Sequence, residues 1–423
     1  MKEAVIVEAL RGPIGRAGDR GVYRSIGYID LMVPVLKALF QRTKLDPAKV
    51  DEFCLGSAGT VTKCIAHDIW LTAGLPQSVA GFDSARQCAS SSNIIALAAG
   101  MIMNNDADII IAGGLETMDR KGPVQAWQVG QRGSVRRTGP EVGQDVWGYD
   151  TNNPYPPDWK FAKDLLPRIA PPLPPWTYDM GMTAEELCKR FGVTRKECDE
   201  YSLISHQRYF SALDKGYFKD EVVPVTIEYK DGSTETVSVD QCPRRETSLE
   251  KLTSLPGAYK ADGLITAGNS SPRSDGATLV LMMSKEKAKE LGYKPMLTFR
   301  HAVAAGVDPT IMGVGPVYAT KKILARTGMK ISDLDIFECN EAFACVVRYF
   351  VREMGVPEKD VFAKVNPYGG GISIGHPLGA TGARQAAVIA RHLQRTGGRF
   401  GLATLCAGGG QGMATIFERE DYK

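Results

Sequence analysis

Ser84-Ala85-Arg86-Gln87-Cys88-Ala89-Ser90-Ser91-Ser92-Asn93 runs directly into the apolar segment Ile94 to Met103. A cysteine stands where small polar residues give way to an Ala/Ile/Leu-rich, helix-periodic stretch. That pattern places the thiol at, or just before, the first turn of a buried helix. The free N–H groups and the positive end of the helix dipole there favour a thiolate, so the spacing predicts a Cys88 pKa below that of a free thiol. By itself the stretch is better read as an inert core cysteine, the commonest fate of an intracellular one. The C-terminal quarter decides between the two.

Working outward, Val5-Ile6-Val7 reads as a strand, Leu31 to Gln41 as a helix and Glu52 to Leu55 as a strand. After the Cys88 helix comes a further strand, Ala107 to Gly114. Such alternation indicates α/β layering. The plan recurs. Lys44 to Phe53 resembles Lys330 to Phe337, Thr72-Ala73-Gly74-Leu75-Pro76 resembles Glu353-Met354-Gly355-Val356-Pro357, and Asp108 to Gly114 has its counterpart in Arg399 to Gly409. Three matches in the same order predict two related α/β halves. The first covers residues 1–120 and is completed by about 267–287; the second covers 288–423.

Between the halves, residues 121–266 form a different, loop-rich region. Its first part, 121–178, holds ten of the 24 prolines and four of the five tryptophans. That much proline excludes long regular elements, while Trp127, Trp147, Trp159 and Trp176 argue for an ordered excursion packed on the body. Helices return at Thr183 to Phe191, preceded by Met180-Gly181, and at Lys196 to Lys215.

Composition narrows the function. Lys+Arg 51 against Asp+Glu 48 leaves a net charge of +3, which gives no general case for nucleic acid or a membrane surface. No apolar run approaches the length of a membrane span, and the N-terminus reads as an immediate strand instead of a signal sequence. Nine cysteines, with no C-x-x-C, argue against a disulfide framework and a zinc site. A cytoplasmic chain with reduced thiols and no bound metal is the expectation.

Three C-terminal stretches complete the reading: Cys339-Asn340-Glu341-Ala342-Phe343-Ala344, the glycine-rich run Gly369 to Arg384 containing Gly375-His376-Pro377, and Leu405-Cys406-Ala407-Gly408-Gly409-Gly410-Gln411-Gly412. His376 is held between a glycine and a proline. Cys406 follows a β-like run and enters three glycines, as an exposed reactive thiol would. Together with Gln87-Cys88-Ala89-Ser90-Ser91, these stretches resemble the thiolase family in the family's order, from Met1 to the last strand near Phe417.

The resemblance implies duplicated α/β halves in a layered αβαβα arrangement with a loop domain covering the CoA and acyl site. It implies an acetyl-CoA C-acyltransferase that uses coenzyme A as substrate and no cofactor. Cys88 would attack the keto carbon and hold the acyl group, and His376 would take its proton. Cys406 would protonate the departing acetyl-CoA carbanion. Asn340, through a water, and His376 would stabilise the enolate, and the N–H groups of Cys88 and Gly408 would bind the oxyanion. On the CoA side, Ser271 and Ala267 lie in the stretch matching the pantetheine-contacting turn, Arg244 matches an adenine-stacking arginine, and Met180, Met312 and Phe343 match pocket-lining positions. Dimers or dimers of dimers are the family's usual assemblies, and a heteromeric complex is another.

Departures from the family bear on the substrate. The short-chain biosynthetic members carry a histidine where this chain has Asp179, the usual Cys-x-Ser-Gly is here Cys88-Ala89-Ser90-Ser91, and the stretch 121–178 looks long. A degradative role on a larger acyl group is therefore expected, with acetoacetyl-CoA synthesis second. The related ketoacyl synthases use a second histidine where Asn340 stands. A papain-like protease would place its asparagine after the histidine. A non-catalytic relative should have lost Cys88.

Overall fold

The computed structural model describes residues 2–59, 64–118, 179–229 and 232–421. The stretch 121–178, with Trp127, Trp147, Trp159 and Trp176, lies outside them. The strands are β1 (Ala4–Arg11), β2 (Gly15–Arg16), β3 (Glu52–Gly56), β4 (Ala80–Ser84), β5 (Ile109–Glu116), β6 (Val225–Glu228), β7 (Thr234–Val237), β8 (Ser274–Ser284), β9 (Leu297–Gly306), β10 (Ile336–Cys339), β11 (Phe400–Ala407) and β12 (Gln411–Arg419). The longer helices are α1 (Tyr28–Thr43), α2 (Ile65–Thr72), α3 (Ser90–Met103), α4 (Met180–Phe191), α5 (Arg195–Asp214), α6 (Gly315–Thr327), α7 (Ala344–Glu353) and α8 (Thr381–Thr396).

Strand order is β10-β11-β12-β9-β1-β8-β5-β3-β4, with β6 and β7 forming a separate hairpin. Read inward from β3 and from β10, the pairings repeat. β3 pairs parallel with β5, then β5–β8 and β8–β1 are antiparallel. β10 pairs parallel with β11, then β11–β12 and β12–β9 are antiparallel. The two series meet where Val5 faces Thr298 and Ile6 faces Leu297. The likenesses in sequence are likenesses in structure. A 3₁₀ turn precedes both β3 and β10, and Gly74 and Gly355 both take positive φ after their helices.

Apolar clusters define the layers. One lies outside the first half-sheet and takes in Leu31, Val35 and Leu39 of α1 with Ile69 and Trp70 of α2. A second joins Ile94, Ile95, Ala98 and Ile102 of α3 to Ala386, Ala387 and Leu393 of α8. The third covers the outside of the second half-sheet with α4, α6 and α7. The order is helix, sheet, helix, sheet, helix. The shared middle layer brings the N-termini of α3 and α8 together. They cross so closely that a Cβ on Gly382 would lie 2.1 Å from Ser92 Oγ, a contact only glycine permits.

Candidate active site

Cys88 is placed by a tight turn between β4 and α3. Gln87 takes a left-handed φ of 48°, and Ser90 Oγ accepts the Arg86 N–H at 2.9 Å while donating to Gln87 O at 2.6 Å. Helix α3 starts at Ser90 with Ala89 as its cap. The backbone N–H groups of Gly408 and of Cys88 itself act on the Cys88 thiol, favouring its ionised form. These donors belong to opposite halves of the chain.

The expected low thiol pKa is not what the structure has. Burial pushes the Cys88 thiol up to about 11, and Glu116 adds to the rise, against the pull of the two N–H donors. A helix start lowers a pKa through a partial charge, and full desolvation of a thiolate outweighs it. The resting sulfur is a thiol.

His376 sits at the start of α8. Its Nδ1 lies 2.7 Å from Thr381 Oγ1, and that hydroxyl lies 2.8 Å from Pro377 O. A carbonyl has no proton, so the hydroxyl donates to Pro377 and the imidazole Nδ1–H donates to the hydroxyl. The lone pair is thereby left on Nε2, 3.2 Å from Asn340 Nδ2. Burial, then the Arg384 charge, lowers the His376 pKa to about 3. The neighbouring Gly375 has φ +114°, and a Cβ there would lie 2.6 Å from Ser274 Oγ, the atom that accepts the His376 N–H. Thr381→Val should release the tautomer and lower kcat by roughly 10²-fold, while Thr381→Ser keeps near-normal rates; steady-state kinetics of the pair checks this.

Cys406 lies inside β11 opposite Gly412 and is fully buried, which corrects the expectation of an exposed thiol. The glycines after it shape the turn into β12 and do not uncover the sulfur. Burial raises its thiol pKa strongly, and a Cys88 charge raises it further. Asn340 follows β10, its N–H donating to Thr404 O at 2.9 Å. Its Oδ1 is buried and has no hydrogen-bond partner among the described residues, as an acceptor awaiting water or substrate would.

Of the substrate-side residues, the turn carrying Ser271 lies beside the Asn340 segment, and Arg244 lies in a separate cleft. Ser270 bridges Phe343 antiparallel, and the Ser271 N–H donates to Ala342 O at 3.0 Å. This lays the Ala267–Ser271 turn, with Ala267 exposed, along the segment carrying Asn340. Met180, Met312 and Phe343 share one apolar cluster. Asp179 is the N-cap of α4, its carboxylate accepting the N–H groups of Gly181 and Met182. Arg244 lines a cleft of about 280 Å³ with His206 and Phe210, and its N–H donates to His206 Nδ1 at 3.2 Å. Arg245, by contrast, is spent on Asp214 and on the Phe210 ring. Among the described residues no group of His, Cys, Asp and Glu is arranged to hold a metal ion.

The chain matches "Thiolase, N-terminal domain" over residues 4–286 and "Thiolase, C-terminal domain" over residues 293–419. The chain belongs to the thiolase family. It is 37% identical to the 3-oxoadipyl-CoA/3-oxo-5,6-dehydrosuberyl-CoA thiolase of Escherichia coli, covering 99% of this chain and 100% of that protein. It is also 37% identical to an acetyl-CoA acetyltransferase of Syntrophomonas wolfei, over 99% of both chains. The crystal structure of the Bacillus anthracis acetyl-CoA acetyltransferase superposes with TM-score 0.83 at 35% identity, covering 99% of each chain. This thiolase is accordingly an acyltransferase.

Sequence reasoning missed several groups that hold this thiolase's loops in place. Glu341 is buried and fully satisfied, accepting from Tyr201 (2.7 Å), Ser205 (2.6 Å), Asn366 (3.1 Å) and the Ile372 N–H (3.0 Å). It ties the Asn340 segment to the His376 loop and to α5. Glu116, at the end of β5, accepts the N–H groups of Ala58, Gly59 and Gly379, pinning the turn after His376 to the first half. Tyr259 packs edge-on against Phe343 and covers Gly181, where a Cβ would come within 2.2 Å of its ring.

Proposed function

We propose that this thiolase works mainly in the degradative direction, cleaving 3-ketoacyl-CoA with CoA to acyl-CoA and acetyl-CoA by a ping-pong route through acyl-Cys88. What supports the reading is the set of groups the fold assembles: the Gly408 and Cys88 N–H groups acting on the Cys88 thiol, Cys406 close enough to feel a Cys88 charge, and His376 with its Nδ1–H turned to Thr381 and its Nε2 towards Asn340.

In the proposed sequence the Cys88 proton moves to His376 Nε2 as sulfur attacks the keto carbon. The oxyanion forms under the Cys88 and Gly408 N–H groups. The C2–C3 bond then breaks with its electron pair left on C2, which takes the Cys406 proton. Incoming CoA returns a proton to Cys406 and attacks the thioester, and Cys88 leaves and recovers its proton from His376.

For the acyl group we propose something larger than acetoacetyl, supported by the apolar cluster that Met180, Met312 and Phe343 share and by Tyr259 edge-on to Phe343. Each buried methylene adds about 0.8 kcal/mol, or about fourfold, so kcat/KM should climb along a series of 3-ketoacyl-CoAs before levelling. A maximum at acetoacetyl-CoA would reverse the assignment. The second reading, acetoacetyl-CoA synthesis, has equal identity to an acetyl-CoA acetyltransferase in its favour. A place in the cytoplasm and a dimeric or tetrameric assembly are proposed with it; no helix among the described residues is long and apolar enough to cross a membrane.

A further inference from the structure

Arg86 has no part in the chemistry above, yet it stands between the two loops that supply the oxyanion donors. Its Nε donates to Asn93 Oδ1 at 2.9 Å on the first turn of α3, and its Nη1 donates to Gln411 Oε1 at 3.1 Å at the start of β12. Gln411 turns back, its Nε2 reaching Gly408 O at 3.4 Å. The Arg86 N–H is the one that Ser90 Oγ accepts in the nucleophile turn. One guanidinium therefore grips both the Cys88 turn and the Gly408 loop, which lie on different halves of the chain. It does so next to Gln87, whose left-handed backbone offers the turn no slack.

The hole needs this grip for a geometric reason. The Cys88 and Gly408 N–H groups must converge on one oxygen within a few tenths of an ångström. Gly408 is followed by Gly409 and Gly410, both at positive φ, and a glycine-rich loop does not hold an N–H in direction by itself. Arginine's rigid planar fork can bond two acceptors at once, which a lysine cannot reproduce.

We infer that Arg86 is the positioning residue of the oxyanion hole, acting through Gln411 to align the Gly408 N–H with that of Cys88. The inference rests on Cys88 being the nucleophile. Intact-mass analysis of the unaltered enzyme with acetyl-CoA tests that separately, and no adduct on Cys88 would overturn both together.

The experiment compares Arg86→Ala, Arg86→Lys, Gln411→Ala and the double variant Arg86→Ala/Gln411→Ala in steady-state thiolysis and single-turnover acylation. Arg86→Ala should lower kcat roughly 10²-fold, the scale of a displaced oxyanion donor, with KM for 3-ketoacyl-CoA within about twofold. Arg86→Lys should fare little better, and added guanidinium should restore part of the Arg86→Ala rate. Gln411→Ala, which leaves the Asn93 bond intact, should lose less, and the double variant should be no slower than Arg86→Ala alone because both changes cut one link. An unchanged kcat, a loss confined to KM, or losses that multiply in the double variant would overturn the assignment. So would a Gln411→Ala enzyme of full activity, the arm that still decides if Arg86→Ala does not fold.

Discussion

Cys88→Ser incubated with acetyl-CoA should show no acyl adduct, whereas the unaltered chain gains a single acetyl group. Thiolysis should fall by roughly 10⁴-fold or more, as for loss of a covalent nucleophile. The reason lies in the proton balance of the site. His376 binds a proton only weakly, held down to about 3 by burial and by Arg384. On the proposed route it takes the proton of a thiol pushed up to about 11 only as the negative charge passes onto the substrate oxygen under the Cys88 and Gly408 N–H groups. A serine hydroxyl is a much weaker acid, and the same imidazole cannot draw its proton. The other cysteines near the site are no substitutes: burial raises the Cys339 and Cys345 thiols too, and both lie in a packed core. In the substrate-free enzyme, alkylation of Cys88 by iodoacetamide should keep rising past pH 9, because the thiolate fraction grows tenfold per pH unit below the pKa. A plateau near neutrality would mean a resting thiolate–imidazolium pair.

Cys406→Ala should divide the reaction. The variant should still acylate Cys88 from acetyl-CoA, because the turn at Arg86–Ser90, the N–H donors and His376 do not depend on the sulfur at 406. It should fail where a proton must reach or leave C2. Exchange of the acetyl-CoA methyl protons with deuterated water and thiolysis should both drop by about 10³–10⁴-fold, the upper range for general acid–base groups. Cys406 lies in the middle of the β11–β12 ladder, its backbone opposite Gly412, so alanine keeps the strand and removes little more than the sulfur. Mass spectrometry of the acyl-enzyme alongside the exchange rate separates the two steps. Near-normal exchange would leave Cys406 a packing residue.

Much of this was legible along the chain, because the relevant information was local. Short apolar runs marked β1, β3 and β5, helical periodicity marked α3, and small polar residues before Ile94 put Cys88 ahead of a helix within two residues of where it lies. The duplicated plan showed in turns whose chemistry repeats, Pro47–Lys49 and Ile331–Asp333 before equivalent strands, Gly74 and Gly355 after equivalent helices. Asp179, marked only as a departure near the pocket, proves to be a helix cap. Such features follow from backbone propensity and hydrogen-bonding need over a few residues, which a sequence states directly.

What the tertiary structure alone decided is the state of the reactive groups. The stretch around Cys88 suggested an acidified thiol; the fold buries it and makes it a weaker acid than a free thiol. The glycines after Cys406 suggested exposure; the strand they follow is interior. The tautomer of His376, the Arg86–Gln411 link across 325 positions and the Glu116–Gly379 bond across 263 have no local signature. A pKa and a hydrogen-bond direction are set by everything within a few ångströms, whatever its distance along the chain. In this molecule those neighbours come from opposite halves, which meet only when the two half-sheets close on α3 and α8.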